Sequence, residues 1–199
     1  MTTTLNAVPR ARLAPWRKAC AAVCLGLLGS VAAQAQTVKL ATTMGDIVVK
    51  LNAEKAPKTV ANFVQYVKDG HYDGTVFHRV IGNFMIQGGG MTADMKEKPT
   101  RSPIPLESQN GLPNERGTIA MARTSDPNSA TSQFFINVVD NVMLNATGSG
   151  EANGYAVFGK VVSGMDVVDK IRSVRTIRKP PHGDVPIDPV TIKKATLEK

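Results

Sequence analysis

The sequence predicts a mainly-β domain, an antiparallel barrel with two helices. Three observations carry this expectation. Short β-type runs recur along the chain, Gly- and Asn-rich turns separate them, and only two stretches have helical periodicity. One helix over each open end of the barrel is the expected arrangement.

The N-terminal segment is read apart from that domain. Residues 1–18 contain Arg10, Arg12, Arg17 and Lys18 and no acid, and residues 19–32 form a run of small and apolar side chains. Ala33-Gln34-Ala35 follows as an A-x-A cleavage signature. Basic, then apolar, then small is the layout of a secretory signal peptide, here residues 1–35, removed after Ala35. The mature domain is residues 36–199, which is 164 of the 199 residues. Removal takes away Cys20, Cys24 and the only tryptophan, Trp16. It also takes four of the 24 basic residues against 16 acids, so the net charge falls from +8 to +4.

The elements follow in order. Residues 38–42 and 47–51 are β-rich runs around Met44-Gly45-Asp46, the pattern of a hairpin. Ala56-Pro57 puts proline where a first helical turn tolerates it. Val60, Phe63, Val64 and Val67 recur at i, i+3, i+4 and i+7, one apolar helical face that Gly70 terminates. β-type runs then cover 75–80, 85–87, 118–122, 134–138 and 156–162. A second helix spans 165–173, with Met165, Val167, Val168 and Ile171 inward. Pro180-Pro181 to Pro189 reads as a loop, and 190–197 as a closing strand. The segment 88–117 lacks periodicity and holds Pro99, Pro103, Pro105 and Pro113. Such a length in a compact domain marks a functional or mobile loop.

Composition bounds the function classes. Apolar residues make up 42% and charged residues 20%, an ordinary globular balance. No stretch of the body is apolar over 18 residues, so none reads as a membrane span, and the mature protein is expected to be free of the membrane. No repeat at solenoid or propeller period is present.

Two segments carry the chemistry. In Phe77-His78-Arg79-Val80-Ile81-Gly82-Asn83-Phe84-Met85-Ile86-Gln87-Gly88-Gly89-Gly90, one Arg and one Gln stand among large apolar side chains on two adjacent strands. Arginine is almost never fully buried unless paired. Arg79 therefore either meets a structural carboxylate or faces a pocket, and spacing alone leaves both open. In Met121-Ala122-Arg123-Thr124-Ser125-Asp126-Pro127-Asn128-Ser129-Ala130-Thr131-Ser132-Gln133-Phe134-Phe135-Ile136, a polar loop joins two strands. Alternation sends Phe134 and Phe135 to opposite faces. Either one enters the core and the other faces outward, or the strand is buried on both sides.

Taken in this order, the two segments resemble the cyclophilin family of peptidyl-prolyl cis/trans isomerases. Gly154-Tyr155-Ala156-Val157-Phe158-Gly159-Lys160 resembles a third family marker. The resemblance runs from Val38 to the final strand and is greatest to compact bacterial members. It implies a closed eight-stranded antiparallel β-barrel capped by two α-helices. With the signal peptide, it implies a periplasmic monomer that isomerises X–Pro bonds during the folding of exported proteins. Its substrates would be proline-containing unfolded or flexible polypeptides, with no cofactor and no metal.

Residue by residue, the resemblance implies that Arg79 is catalytic. Phe84, Met85 and Phe135 match the pocket for the proline ring, and Leu144 matches another wall. Gln87 and Gln133 match polar groups near the substrate backbone. Ala122 and Arg123 match the rim for the residue before proline, where eukaryotic members commonly have Asn in place of Arg123. Met143 stands where many members have a Trp that grips cyclosporin, and Tyr155 where they have a His. Weak binding of that drug is the implication.

Other features read more plainly. His71, His78 and His182 lack metal-ligand spacing, and His78, pointing opposite to Arg79, reads as a satisfied core histidine. Gly88-Gly89-Gly90 reads as a turn, since a dinucleotide fingerprint needs another spacing and a following helix. Arg172, Arg175, Arg178 and Lys179 read as a solvated basic face, because no aromatics interleave them for nucleic-acid stacking. A mature charge of only +4 also argues against a nucleic-acid partner. Asn145-Ala146-Thr147 matches a glycosylation sequon. The competing function is a proline-peptide holdase that keeps the pocket without needing catalysis, and the presence of Arg79 favours the enzyme.

Overall fold

In strands β1 (Thr37–Thr42) and β2 (Gly45–Leu51), apolar residues alternate with polar ones, and the inward members Val38, Leu40, Ile47, Val49 and Leu51 are buried. The computed structural model describes residues 1–2, 36–146 and 153–198. The rest of the expected signal peptide, its cleavage signature included, lies outside the described residues.

Helix α1 (Pro57–Lys68) buries Val60, Phe63, Val64 and Val67, the face the periodicity predicts, together with Thr59 and Tyr66. Gly70, at φ 66°, follows its C-terminus in the left-handed conformation. The helix has no side-chain cap of its own at Ala56. A residue from the aperiodic segment supplies it. The Glu107 carboxylate accepts hydrogen bonds from Lys58 N (3.1 Å), Thr59 N (2.8 Å) and the Thr59 hydroxyl (2.7 Å). Orphan amides at a helix N-terminus are thus satisfied by an anion, which the helix dipole also favours. The same long segment is tied down elsewhere. Arg101 N donates to the Tyr66 hydroxyl (2.8 Å) and Leu106 N to Asn128 Oδ1 (3.0 Å).

Strands β3 (Arg79–Ile81), β4 (Met85–Gly88), β5 (Thr118–Met121), β6 (Phe134–Asn137), β7 (Val157–Ser163) and β10 (Ile192–Glu198) complete an eight-stranded sheet, ordered β10-β1-β2-β7-β5-β6-β4-β3. Every ladder is antiparallel. The ladders run from β10 to β3 and do not continue from β3 back to β10. Instead, a single Val76–Thr191 bridge joins the two edges, together with Phe77 N donating to Val190 O (2.9 Å) and Gly74 N to Ile192 O (2.8 Å). The structure is therefore a mainly-β, two-helix fold built on a curled sheet rather than a barrel closed by a continuous ladder.

Helix α2 (Met165–Arg172) buries Val167, Val168 and Ile171 and packs on β2, β3 and β4, whereas α1 packs on β10. Two sequence expectations need revising. Residues 75–78 are not a regular strand, because only the bridges at Thr75 and Val76 pair there and β3 starts at Arg79. The stretch from Pro180-Pro181 to Pro189 is not a plain loop either, because its first part lies in a hairpin. That hairpin consists of β8 (Thr176–Lys179) and β9 (His182–Pro186), and its turn contains the Pro180-Pro181 pair. Proline cannot donate to a ladder, but it is accommodated in the turn.

The core centres on aromatic rings. Phe63 lies 5.1 Å from Tyr72, 5.1 Å from Phe158 and 5.6 Å, edge-on, from Phe134. Truncating Phe134 to alanine should lower the unfolding free energy by about 3–5 kcal/mol, the usual cost of emptying a phenyl site. Denaturant unfolding checks this, and a loss below about 1 kcal/mol would contradict the central place given to that ring.

Candidate active site on the second face of the sheet

Strand period two makes two apolar layers from one sequence. Val80, Ile86, Ile119, Phe134 and Ile136 face the main core. Their neighbours face the other way. Register pairs Arg79 with Gln87, Gln87 with Phe135, Phe135 with Ala120, and Ala120 with Val157. These five residues make one row across five strands. Met85, two positions from Gln87, shares their face and pairs with Ile81 and Asn137.

Around this row lies a second apolar cluster, distinct from the core. Met85, Ala120, Phe135 and Val157 are buried in it, and Ile81, Phe84, Leu112, Ala122, Leu144 and Tyr155 are partly buried against it. Phe134 and Phe135 thus take opposite faces, yet both are buried, Phe135 being only 4% exposed. Phe84, Met85, Ala122, Phe135, Leu144 and Tyr155 were legible from the sequence. Ala120, Val157, Ile81 and Leu112 were not. Register reveals the first three, and Leu112 sits in the aperiodic segment.

Arg79 is half-buried beside this cluster. Among the described residues, no carboxylate forms an ion pair with it. The cross-strand neighbour Gln87 donates through Nε2 to Gln133 Oε1 (3.0 Å), so the two glutamines are held as a pair. Behind them the glycine run is close-packed rather than a plain turn. Gly88 belongs to β4 and pairs with Phe134. At Gly89, with φ 85°, an added Cβ would lie 2.8 Å from the Phe134 ring and 2.9 Å from Tyr72.

Arg123 folds back on its own rim. Its Nε and Nη2 donate to Gly154 O (3.1 and 3.0 Å), and its Nη1 donates to Thr124 O (2.8 Å). The guanidinium carbon lies 4.6 Å over the Tyr155 ring, and Tyr155 meets Phe135 edge-on at 5.5 Å. The cation therefore braces an aromatic wall instead of reaching out. Met143 stands apart, 75% exposed on the short 3-10 turn Val142–Leu144. Asn145 of the sequon uses its Oδ1 to accept from Asn114 N (2.7 Å), and Thr147 lies outside the described residues.

His78 is buried, as expected, and its Nδ1 has no hydrogen-bond partner among the described residues. Burial above all, with electrostatic repulsion from the side of His182 and Arg79, outweighs hydrogen bonds to Val76 and Gln133 and pushes its pKa down to about 4. His71 is satisfied, with Nε2 donating to Gly89 O at 3.2 Å. Separate from Arg79, a cleft of about 550 Å³ opens beyond Leu112 and Val157, lined also by Lys50, Glu54, Glu115 and Lys160. Arg79 is not among its lining residues. The second sheet face itself presents an apolar cluster, glutamine amides, and a permanent cation that has no carboxylate ion pair among the described residues.

A family model described as cyclophilin type peptidyl-prolyl cis-trans isomerase/CLD matches residues 37–197. The chain is 57% identical over 162 residues to peptidyl-prolyl cis-trans isomerase cyp18 of Streptomyces antibioticus, covering 81% of this chain and 98% of that protein. It is 55% identical over 159 residues to peptidyl-prolyl cis-trans isomerase B of Escherichia coli K12, covering 79% and 97%. Among solved structures, a Cryptosporidium parvum cyclophilin type isomerase matches with a TM-score of 0.68 at 27% identity, covering 83% of this chain and 98% of that one. A structure of the same protein in the presence of the dipeptide Ala-Pro matches with a TM-score of 0.68 at 28% identity, covering 82% and 99%.

His78 gives stability a pH dependence of known sign. Its folded pKa of about 4 lies below the ordinary 6.5 of the unfolded chain. Between these values the unfolded state binds a proton that the folded state does not. Stability is therefore full above pH 6.5 and falls toward pH 4, by up to about 3 kcal/mol. Urea unfolding of His78→Gln should show a flatter profile over that range than the parent protein. Parallel profiles would contradict the assignment.

Proposed function

This chain belongs to the cyclophilin type peptidyl-prolyl cis-trans isomerase family, and we propose that Arg79, working beside the apolar cluster on the second sheet face, is the group with which it turns an X–Pro bond. The activity itself is that of the family, peptidyl-prolyl cis-trans isomerisation. What carries the proposal for Arg79 is its position: half-buried, without a carboxylate partner among the described residues, and in one cross-strand row with Gln87 and Phe135.

Amide resonance sets a rotation barrier of roughly 18–20 kcal/mol. No bond breaks on rotation, so the enzyme has to bind the twisted amide more tightly than either planar form. Twisting ends conjugation at the proline nitrogen and leaves a lone pair there. A guanidinium N–H aimed at that lone pair stabilises the twisted state alone, and a water-poor surround strengthens the bond. Phe84, Met85, Phe135 and Leu144 hold the ring while the preceding carbonyl swings. Gln87, Gln133 and the rim at Ala122 and Arg123 position the backbone. Acceleration by about five decades needs roughly 7 kcal/mol. One aimed donor supplies about 2.7–4 kcal/mol of this, and backbone contacts that follow the swinging carbonyl supply the remainder, while ring anchoring supplies binding common to both states.

Proline-containing unfolded or flexible polypeptides are the proposed substrates, in keeping with the Ala-Pro dipeptide used with the Cryptosporidium relative. The basic, apolar, A-x-A layout of residues 1–35 supports a periplasmic location and a role with exported chains. The exposed Met143 and the braced Tyr155 support a weak grip on cyclosporin.

Replacing Arg79 with alanine should lower kcat/KM about a hundredfold in a protease-coupled proline-peptide assay, the cost of one aimed donor, with the unfolding transition essentially in place. An unchanged rate would remove Arg79 from the mechanism.

A further inference from the structure

Asparagine is seldom fully buried, and a buried amide has to find its partners. Asn114, Asn137 and Asn141 are nevertheless 1%, 0% and 1% exposed. They are bonded to one another. Asn137 Nδ2 donates to Asn114 Oδ1 (3.2 Å) and to Thr118 Oγ1 (2.9 Å), while Asn137 Oδ1 accepts from Asn141 Nδ2 (2.7 Å). The outer ends of this chain of amides reach pocket walls. Asn141 Nδ2 also donates to Phe84 O (2.8 Å). Asn114 Nδ2 donates to Leu144 O (3.0 Å) and to Tyr155 O (3.4 Å).

We propose that Asn137 is a positioning residue: the buried amide relay centred on it fixes the distance between the Phe84 wall and the Leu144–Tyr155 wall of the proline pocket. The proposal rests on the reading of Arg79 and the apolar cluster given above. Placement supports it. Asn137 is two residues from Phe135 on the same face and is the cross-strand partner of Met85, so it lies directly beside the ring site. The walls it joins are remote in sequence, with Phe84 57 residues from Asn141, and Leu144 and Tyr155 30 and 41 residues from Asn114. Phe84 O also accepts from Val138 N (3.2 Å), and Leu144 O from Tyr155 N (2.9 Å), so each wall is locally stitched. The asparagines connect one stitched wall to the other. Directional hydrogen bonds hold such a spacing more narrowly than apolar contacts do.

A fixed spacing grips the ring in planar and twisted states alike, so it acts on KM. Arg79 acts on the twisted state alone, and so on kcat. NMR exchange measurements on an X–Pro tetrapeptide yield both constants. They should be made on the parent protein, Asn137→Ala, Asn141→Ala and Arg79→Ala, at a temperature where unfolding curves show each to be folded. Asn137→Ala should raise KM about tenfold with kcat nearly unchanged, and Asn141→Ala, which frees Phe84 O and Asn137 Oδ1 but keeps the Asn137–Asn114 bond, should raise it less. Arg79→Ala should lower kcat with KM nearly unchanged. A folded Asn137→Ala with parental KM, or with a loss confined to kcat, overturns the positioning role. If that variant does not fold, Asn141→Ala decides alone, and a parental KM there overturns the role. If the asparagine variants fail this way while Arg79→Ala loses kcat, only the relay falls. If Arg79→Ala leaves both constants unchanged, the site reading falls and the relay with it.

Discussion

The two-residue period of β4 and β6 is the constraint on which the rest depends. Ile86, Ile136 and Phe134 point one way and build the core, while Met85, Gln87 and Phe135 point the other and build the cluster beside Arg79. A slip of one residue in either strand would exchange the two sets and place Gln87 among the core rings. Core and site are therefore specified by the same register, and close-packed Gly89 against Phe134 and Tyr72 helps hold it.

A half-buried arginine with no carboxylate ion pair among the described residues keeps guanidinium donors for water or a ligand. Around Arg79, the neighbouring polar side chains are partly engaged with one another. Arg123 is committed to Gly154 O, Thr124 O and the Tyr155 ring, and the two glutamines to each other. His78, directly behind on the core side, is held neutral near pH 7 by burial. Arg79 stands beside the apolar cluster with a permanent charge, which suits the proposed rotation about a proline nitrogen.

Much of this was legible in the sequence because it is local. The 3.6-residue pattern of Val60, Phe63, Val64 and Val67 and the alternation through Phe134-Phe135 both survive in the structure. What escaped depends on distant pairing. The cap on α1 comes from Glu107, 48 residues from Thr59. The joining of the sheet edges through Val76 and Thr191 cannot be read from either segment alone. The hairpin of β8 and β9 was hidden by its prolines, of which Pro180 and Pro181 sit in the turn and Pro186 ends β9. The asparagines at 114, 137 and 141 look like ordinary loop and strand-end residues until folding brings them together.

Side-chain ¹⁵N NMR of the arginines tests the central claim most directly, with the Arg79 guanidinium signal assigned by its loss in Arg79→Lys. This signal should move when an X–Pro tetrapeptide is added and stay in place for the same peptide with alanine at the proline position. A signal that ignores both peptides would contradict that claim, because the guanidinium would then have no part in meeting the proline.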